Sequence, residues 1–220
     1  MDPAPAIGLL WLAFAATHGG FSSLRLRPRL VTLLGERLFQ ALYSLVALAI
    51  FIPLVIVYFG NKHAGPLLWA VTLGPVLTWT VYVLMGVAFV FVVASLANPS
   101  PASVVPGDPT PRGIYRITRH PLLMGIALFG GVHLLPSGVL SDVVFFGGFV
   151  VFSPIGAWHQ DRRKLAADPA SFADFHSRTP FIPFTGRETV SGLRELSPIV
   201  LVIGVGLTIL LRWFHGPLFG

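Results

Sequence analysis

Three histidines, His18, His120 and His133, lie within or at the mouth of strongly apolar stretches of this 220-residue chain. An ionisable group at membrane depth is costly, and by default it marks a functional site facing the interior of a helix bundle. An imidazole placed there can ligate a metal or haem iron, move a proton, or stay neutral and bond a neighbouring carbonyl. His18 precedes Gly19-Gly20, a pair that lets another helix or a flat ligand approach closely. His120 precedes Pro121, the favoured first residue of a helix, and so also reads as a capping residue. His133 follows Gly130-Gly131 in the same apolar segment. Its spacing from His120 corresponds to about 20 Å along a helix and about 140° around it, so the two cannot ligate one ion together.

Arg112, Arg116 and Arg119 recur at i, i+4 and i+7 just before His120. Such a basic stripe either touches lipid phosphates or, at a cavity mouth, holds a propionate, phosphate or carboxylate. Cysteine is absent, which removes disulfides, thiolate nucleophiles and thiolate-bound metals.

The elements that must position these groups are membrane helices. Mean hydropathy is +0.78, and only 11% of residues are charged against about 25% in a soluble domain. A bilayer core of about 30 Å requires about 20 apolar residues per helix. The spans expected on that basis are 4–23, 38–60, 68–97, 117–136, 139–158 and 196–214, in a single all-α polytopic domain covering 1–220. The third is overlong and contains Pro75. The N-terminus lacks a basic region and a small-residue cleavage site, so it reads as a retained first helix.

Six spans leave Lys62 and Arg212 on one side and every other lysine and arginine on the opposite side. The positive-inside rule then makes the basic loops cytoplasmic and puts both termini outside. The net charge of +6 is thereby absorbed by topology and gives no indication of nucleic-acid binding. Two linkers interrupt the apolar pattern. The first, 98–116, contains the proline-rich "NPSPASVVPGDPTPR", which suits neither helix nor central strand. In the second, 159–194, a part with helical charge spacing leads into the apolar "TPFIPF", expected to lie on the membrane or cap a cavity.

Five motifs taken in order resemble the NnrU family of bacterial membrane proteins, whose relatives include the zeta-carotene isomerase of carotenoid synthesis. They are "THG" around His18, "LGERLFQALYSLVAL", "RITRHPLLMGIALFGGVHLL", "RTPFIPFTGR" and the terminal "FHGPLF". For the isomerase relatives the resemblance implies haem b held by intramembrane histidines and iron redox chemistry on a cis double bond of a polyene. Carried onto this chain, it implies iron ligands at His18 and His133, with His120 next in line; by depth alone, His18 with His120 is the simpler pair. His120 then becomes the catalytic candidate at the cavity mouth, and Arg116 and Arg119 the groups that hold the cofactor's acidic edge. For the NnrU proteins themselves the resemblance implies a bacterial inner-membrane location and an association with nitrite and nitric oxide metabolism. Partners on this reading are membrane lipid and a lipophilic small-molecule substrate.

Two further readings stand beside this one. "RHPLLMG" also resembles isoprenylcysteine carboxyl methyltransferases and phospholipid methyltransferases. That would make S-adenosylmethionine the cofactor, with Arg119 and His120 touching it and residues 158–184 closing the pocket. Leu123 and Asp161 depart from the pattern, standing where the isoprenylcysteine enzymes favour an aromatic residue and a glutamate pair. The third reading is a non-catalytic haem-binding protein or a subunit of a membrane complex.

Overall fold

A computed structural model gives the fold and describes residues 2–101, 107, 108 and 110–219. It is an all-α membrane protein with one two-stranded ribbon. In chain order the elements are α1 (Ala4–Phe21), α2 (Leu26–Leu34), α3 (Glu36–Phe59), β1 (Leu67–Ala70), α4 (Pro75–Ala97), α5 (Pro121–Leu134), β2 (Ser137–Val139), α6 (Leu140–Ala167), α7 (Pro169–Arg178), α8 (Thr189–Arg194) and α9 (Pro198–Phe219). Among the described residues, α1, α3, α4, α6 and α9 are long and apolar enough to cross a membrane, which makes this a multi-pass protein.

Three expected boundaries differ, each for a local reason. The overlong third span divides: residues 67–70 form an exposed strand paired antiparallel with 137–139, and Pro75 starts α4 in the first turn, where its missing N–H is harmless. The fourth span shrinks to the 14 residues of α5, about 21 Å and short of the bilayer core. Pro121 disfavours a helical backbone at His120, so the helix cannot extend backwards, and residues 113–116 form only a 3-10 turn. The fifth span, in contrast, continues nine residues past 158, its charged end running on as helix to Ala167. The first basic loop also contains a helix that periodicity did not disclose, α2, separated from α3 by Gly35 at φ +78°, a conformation that glycine adopts without strain. The part of the proline-rich linker at 102–106 and 109 lies outside the described residues.

The chain forms two compact units: Met1–Thr72 with His133–Phe152, and Leu73–Val132 with Ser153–Gly220. In the first, Trp11 is the packing centre. Its ring meets Phe14, Phe51, Phe149 and Phe152 at 5.0–6.1 Å, and its indole N–H donates to the Phe145 carbonyl at 3.1 Å. In the second, the core gathers Val90, Phe91 and Ala94 of α4, Ile114, Tyr115, Ile117, Met124, Ala157, Phe172, Phe175 and Val200. Small residues bring its helices into backbone contact: a Cβ on Gly125 would lie 2.8 Å from the Ala88 carbonyl, and one on Gly204 2.8 Å from the Val90 Cα.

Candidate functional site

The second unit contains a buried polar cluster at the start of α5. Ile117, Thr118 and Arg119 are zipped to the segment after α7: the Phe184 N–H donates to the Ile117 carbonyl, the Thr118 hydroxyl to Phe181, and the Arg119 N–H to Pro180. This fixes the backbone just before Pro121 and turns both Arg119 and His120 inwards, to 8% and 3% exposure. Between them lies the carboxylate of Asp161, on α6 and 4% exposed. Arg119 Nε donates to Asp161 Oδ2 at 2.8 Å, and His120 Nε2 lies 2.8 Å from Oδ1. The remaining guanidinium nitrogens reach the Thr179 carbonyl at 2.7 Å and His176 Nε2 at 3.2 Å, and Phe181 lies 5.2 Å from the guanidinium carbon.

Proton placement follows from donor and acceptor chemistry. Arginine only donates and an ionised carboxylate only accepts. His120 therefore carries a proton on Nε2, whereas His176 accepts at Nε2 and carries its proton on Nδ1. Partial burial, and then the Arg119 charge, lower the His176 pKa below its ordinary value, consistent with a neutral ring. The charge of Arg119 is thus closed on Asp161. Arg116 is likewise occupied, 2.7 Å from Glu188 and 3.1 Å from Glu195, and Arg112 lies 3.1 Å from Asp108. The basic stripe seen in the sequence meets carboxylates of its own chain. With its Nε2 engaged and its side chain 2% exposed, His120 is a bonded member of this cluster.

Arg116, Arg119 and His120 stood out in the sequence, but their acidic partners did not. The one available signal was Asp161 itself, a carboxylate in the last turns of an apolar helix, which a buried position obliges to find a cation. His176 lies within the cluster at 31% side-chain exposure.

His18 and His133 both belong to the first unit. His18 sits in the last turn of α1, stacked on Phe14 at 5.0 Å and 12° and 4.5 Å from the Tyr43 ring. The Tyr43 hydroxyl donates to the His18 carbonyl at 3.2 Å, tying α3 to this turn. A Cβ added to Gly19 or Gly20 would meet nothing within 4 Å, so the helix surface at these two residues is open. His133, in the last turn of α5, lies face to face with Phe146 at 4.3 Å and 9°.

Among the described residues no group of three or more His, Cys, Asp or Glu converges as a metal site. Haem iron needs only axial imidazoles, because the porphyrin supplies the other donors. His18 and His133, both half-buried and stacked on aromatic rings, are imidazoles of that kind.

A third histidine of the first unit also meets a carboxylate. His63 has a 67% exposed side chain, yet its Nδ1 lies 2.7 Å from Asp142 Oδ2, and the Tyr58 phenol donates to Oδ1 of the same buried carboxylate at 3.1 Å.

The family described as NnrU protein matches residues 7–220. Two curated proteins are similar to the chain along most of its length. The chloroplastic 15-cis-zeta-carotene isomerase of Arabidopsis thaliana is 29% identical over 187 residues, 83% of this chain and 50% of that protein. The same enzyme of Zea mays is 27% identical over 179 residues, 80% and 48% respectively. The chain therefore spans about half the length of the curated relatives it matches. No solved structure matches it.

Proposed function

We propose, from the premise that this chain belongs to the NnrU protein family, that it is a membrane isomerase acting on a cis double bond of a lipophilic polyene, with haem b bound through His18 and His133. The observation that carries the reading is the similarity to two 15-cis-zeta-carotene isomerases over four-fifths of the chain. When bound, haem b would supply one-electron redox chemistry, which can lower the bond order of a conjugated double bond enough for it to rotate.

The chain's own contribution is binding and orientation. Phe14 and Tyr43 fix the plane of the His18 ring, and Gly19 and Gly20 leave room for a flat group at the backbone. Phe146 holds the His133 ring by stacking. On this reading His120 stays outside the ligand set, its side chain 2% exposed and its Nε2 bonded to Asp161.

The donor set also favours this reading over methyl transfer. S-adenosylmethionine carries a carboxylate, which arginines suit, but also a sulfonium and an ammonium, which call for carboxylates. In the groove beside Arg119 the only carboxylate among the lining residues is Asp161, already bonded to Arg119 and His120.

The test is an optical spectrum of the detergent-purified protein, oxidised and then reduced, followed by incubation with a 15-cis polyene and chromatographic separation of isomers. The expected result is a Soret band with sharp reduced bands, lost in His18→Ala and His133→Ala and kept in His120→Ala, together with consumption of the cis isomer. A colourless protein that leaves the polyene unchanged would refute the proposal.

A further inference from the structure

In the second unit, a groove of about 690 Å³ runs along the charged half of α6, walled by α7 and by the segment that follows it. Its two ends differ in chemistry. At one end lie Pro154, Ile155 and Trp158, the last two about half exposed; at the other lie Arg119, Arg162 and His176. From Pro154 to Arg162 is about 12 Å along the helix.

The polar end is rich in donors and poor in acceptors. Arg119 has five N–H groups, and three of them go to Asp161, Thr179 and His176, leaving two for a ligand. His176 accepts at Nε2, so its Nδ1–H remains to donate. Arg162 is exposed, its guanidinium held 4.8 Å from the Trp158 ring. The single carboxylate of the groove, Asp161, offsets one of the two guanidinium charges, so an anion is favoured there.

Depth identifies the source of that anion. A tryptophan with an arginine one turn further on marks the level of lipid headgroups: the indole sits at the interface, and the guanidinium extends towards the phosphates. The groove's apolar end, on the membrane side of Trp158, then lies at the level of acyl chains.

We propose that this groove binds an anionic phospholipid, its phosphate held by Arg162, the Nδ1–H of His176 and the remaining N–H groups of Arg119, with one acyl chain along Ile155 and Trp158. The site is separate from the imidazoles of the first unit and does not depend on the isomerase reading.

Native mass spectrometry of the delipidated full-length protein in detergent tests this, with dioleoylphosphatidylglycerol, dioleoylglycerol and inorganic phosphate as probes. The phosphatidylglycerol should be retained one to one, dioleoylglycerol should not, and millimolar phosphate should fail to displace it. Arg162→Ala should weaken retention about tenfold, with Arg162→Lys intermediate and Arg29→Ala, on α2, unchanged. Because Arg162 is a surface residue, its loss should leave the fold intact, which a thermal melt of the same sample checks. Equal retention of the two lipids, displacement by phosphate, wild-type retention in Arg162→Ala, or an equal loss in Arg29→Ala would each overturn the proposal.

Discussion

Replacing Asp161 with Asn keeps the shape of the side chain and removes its charge. In the folded protein Arg119, with a side chain 10% exposed, then loses its counter-ion and retains only the Thr179 carbonyl, His176 and one amide oxygen as neutral partners. His120 can turn its tautomer to suit the new amide; a guanidinium cannot give up its proton. Removing one partner of a buried ion pair costs about 3–5 kcal/mol, and the retained amide puts this case near 3. For a chain of this size about 3 kcal/mol corresponds to about 6–12 °C of melting temperature. The assay is a thermal melt in detergent at a fixed scan rate, because membrane proteins often unfold irreversibly and their midpoints depend on that rate. Glu188→Gln, which breaks the exposed pair with Arg116, provides the contrast and should cost no more than about 1 kcal/mol. The double replacement Arg119→Met with Asp161→Leu should recover much of the loss, since neither charge then remains buried. If Asp161→Asn melts within a degree of wild type, the cluster is not holding this part of the fold and the reasoning fails.

Stability should fall as pH drops below about 6.5, because the lowered pKa of His176 means that the unfolded chain takes up that proton first. His176→Asn should flatten the melting temperature between pH 7.5 and 5.5, and an unchanged slope would remove His176 from the explanation. Gly204→Leu would force a side chain into the Val90 backbone, and an overpacking cost of about 1–3 kcal/mol should appear as a lower melting temperature, whereas Gly206→Leu, with open space around it, should melt like wild type. Reporter fusions within 61–65 should read external and those at 107–112 cytoplasmic, as the distribution of arginines requires; an external reading at 107–112 would reverse the orientation.

Bilayer thickness made the long helices legible: a run of about 20 apolar residues has few alternatives, and α1, α3 and α9 begin within two residues of their expected starts. The strand at Leu67–Ala70 was not legible, because its apolar run reads equally as helix and its pairing partner, Ser137–Val139, lies far along the chain. The same distance problem hid the polar cluster. Arg119 and His120 announced chemistry, but the carboxylate that completes it is 42 residues on from Arg119, and one sequence contains no record of such a pairing. Arg116 shows the converse: its spacing suggested a ligand contact, and the structure pairs it with Glu188 and Glu195.

The bond between Arg119 and Asp161 also bears on how this chain can diverge. A lineage that loses either charge first carries a protein several kcal/mol less stable, against a typical total of 5–15 kcal/mol. One that replaces both with apolar residues carries no such burden. Positions 119 and 161 therefore behave as a single heritable unit, with paths between the charged and apolar pairs that pass through poorly folding intermediates. His176, whose ring hangs on the Arg119 guanidinium, is freed to vary once that unit has changed, and the anion-binding end of the groove would be lost in the same step.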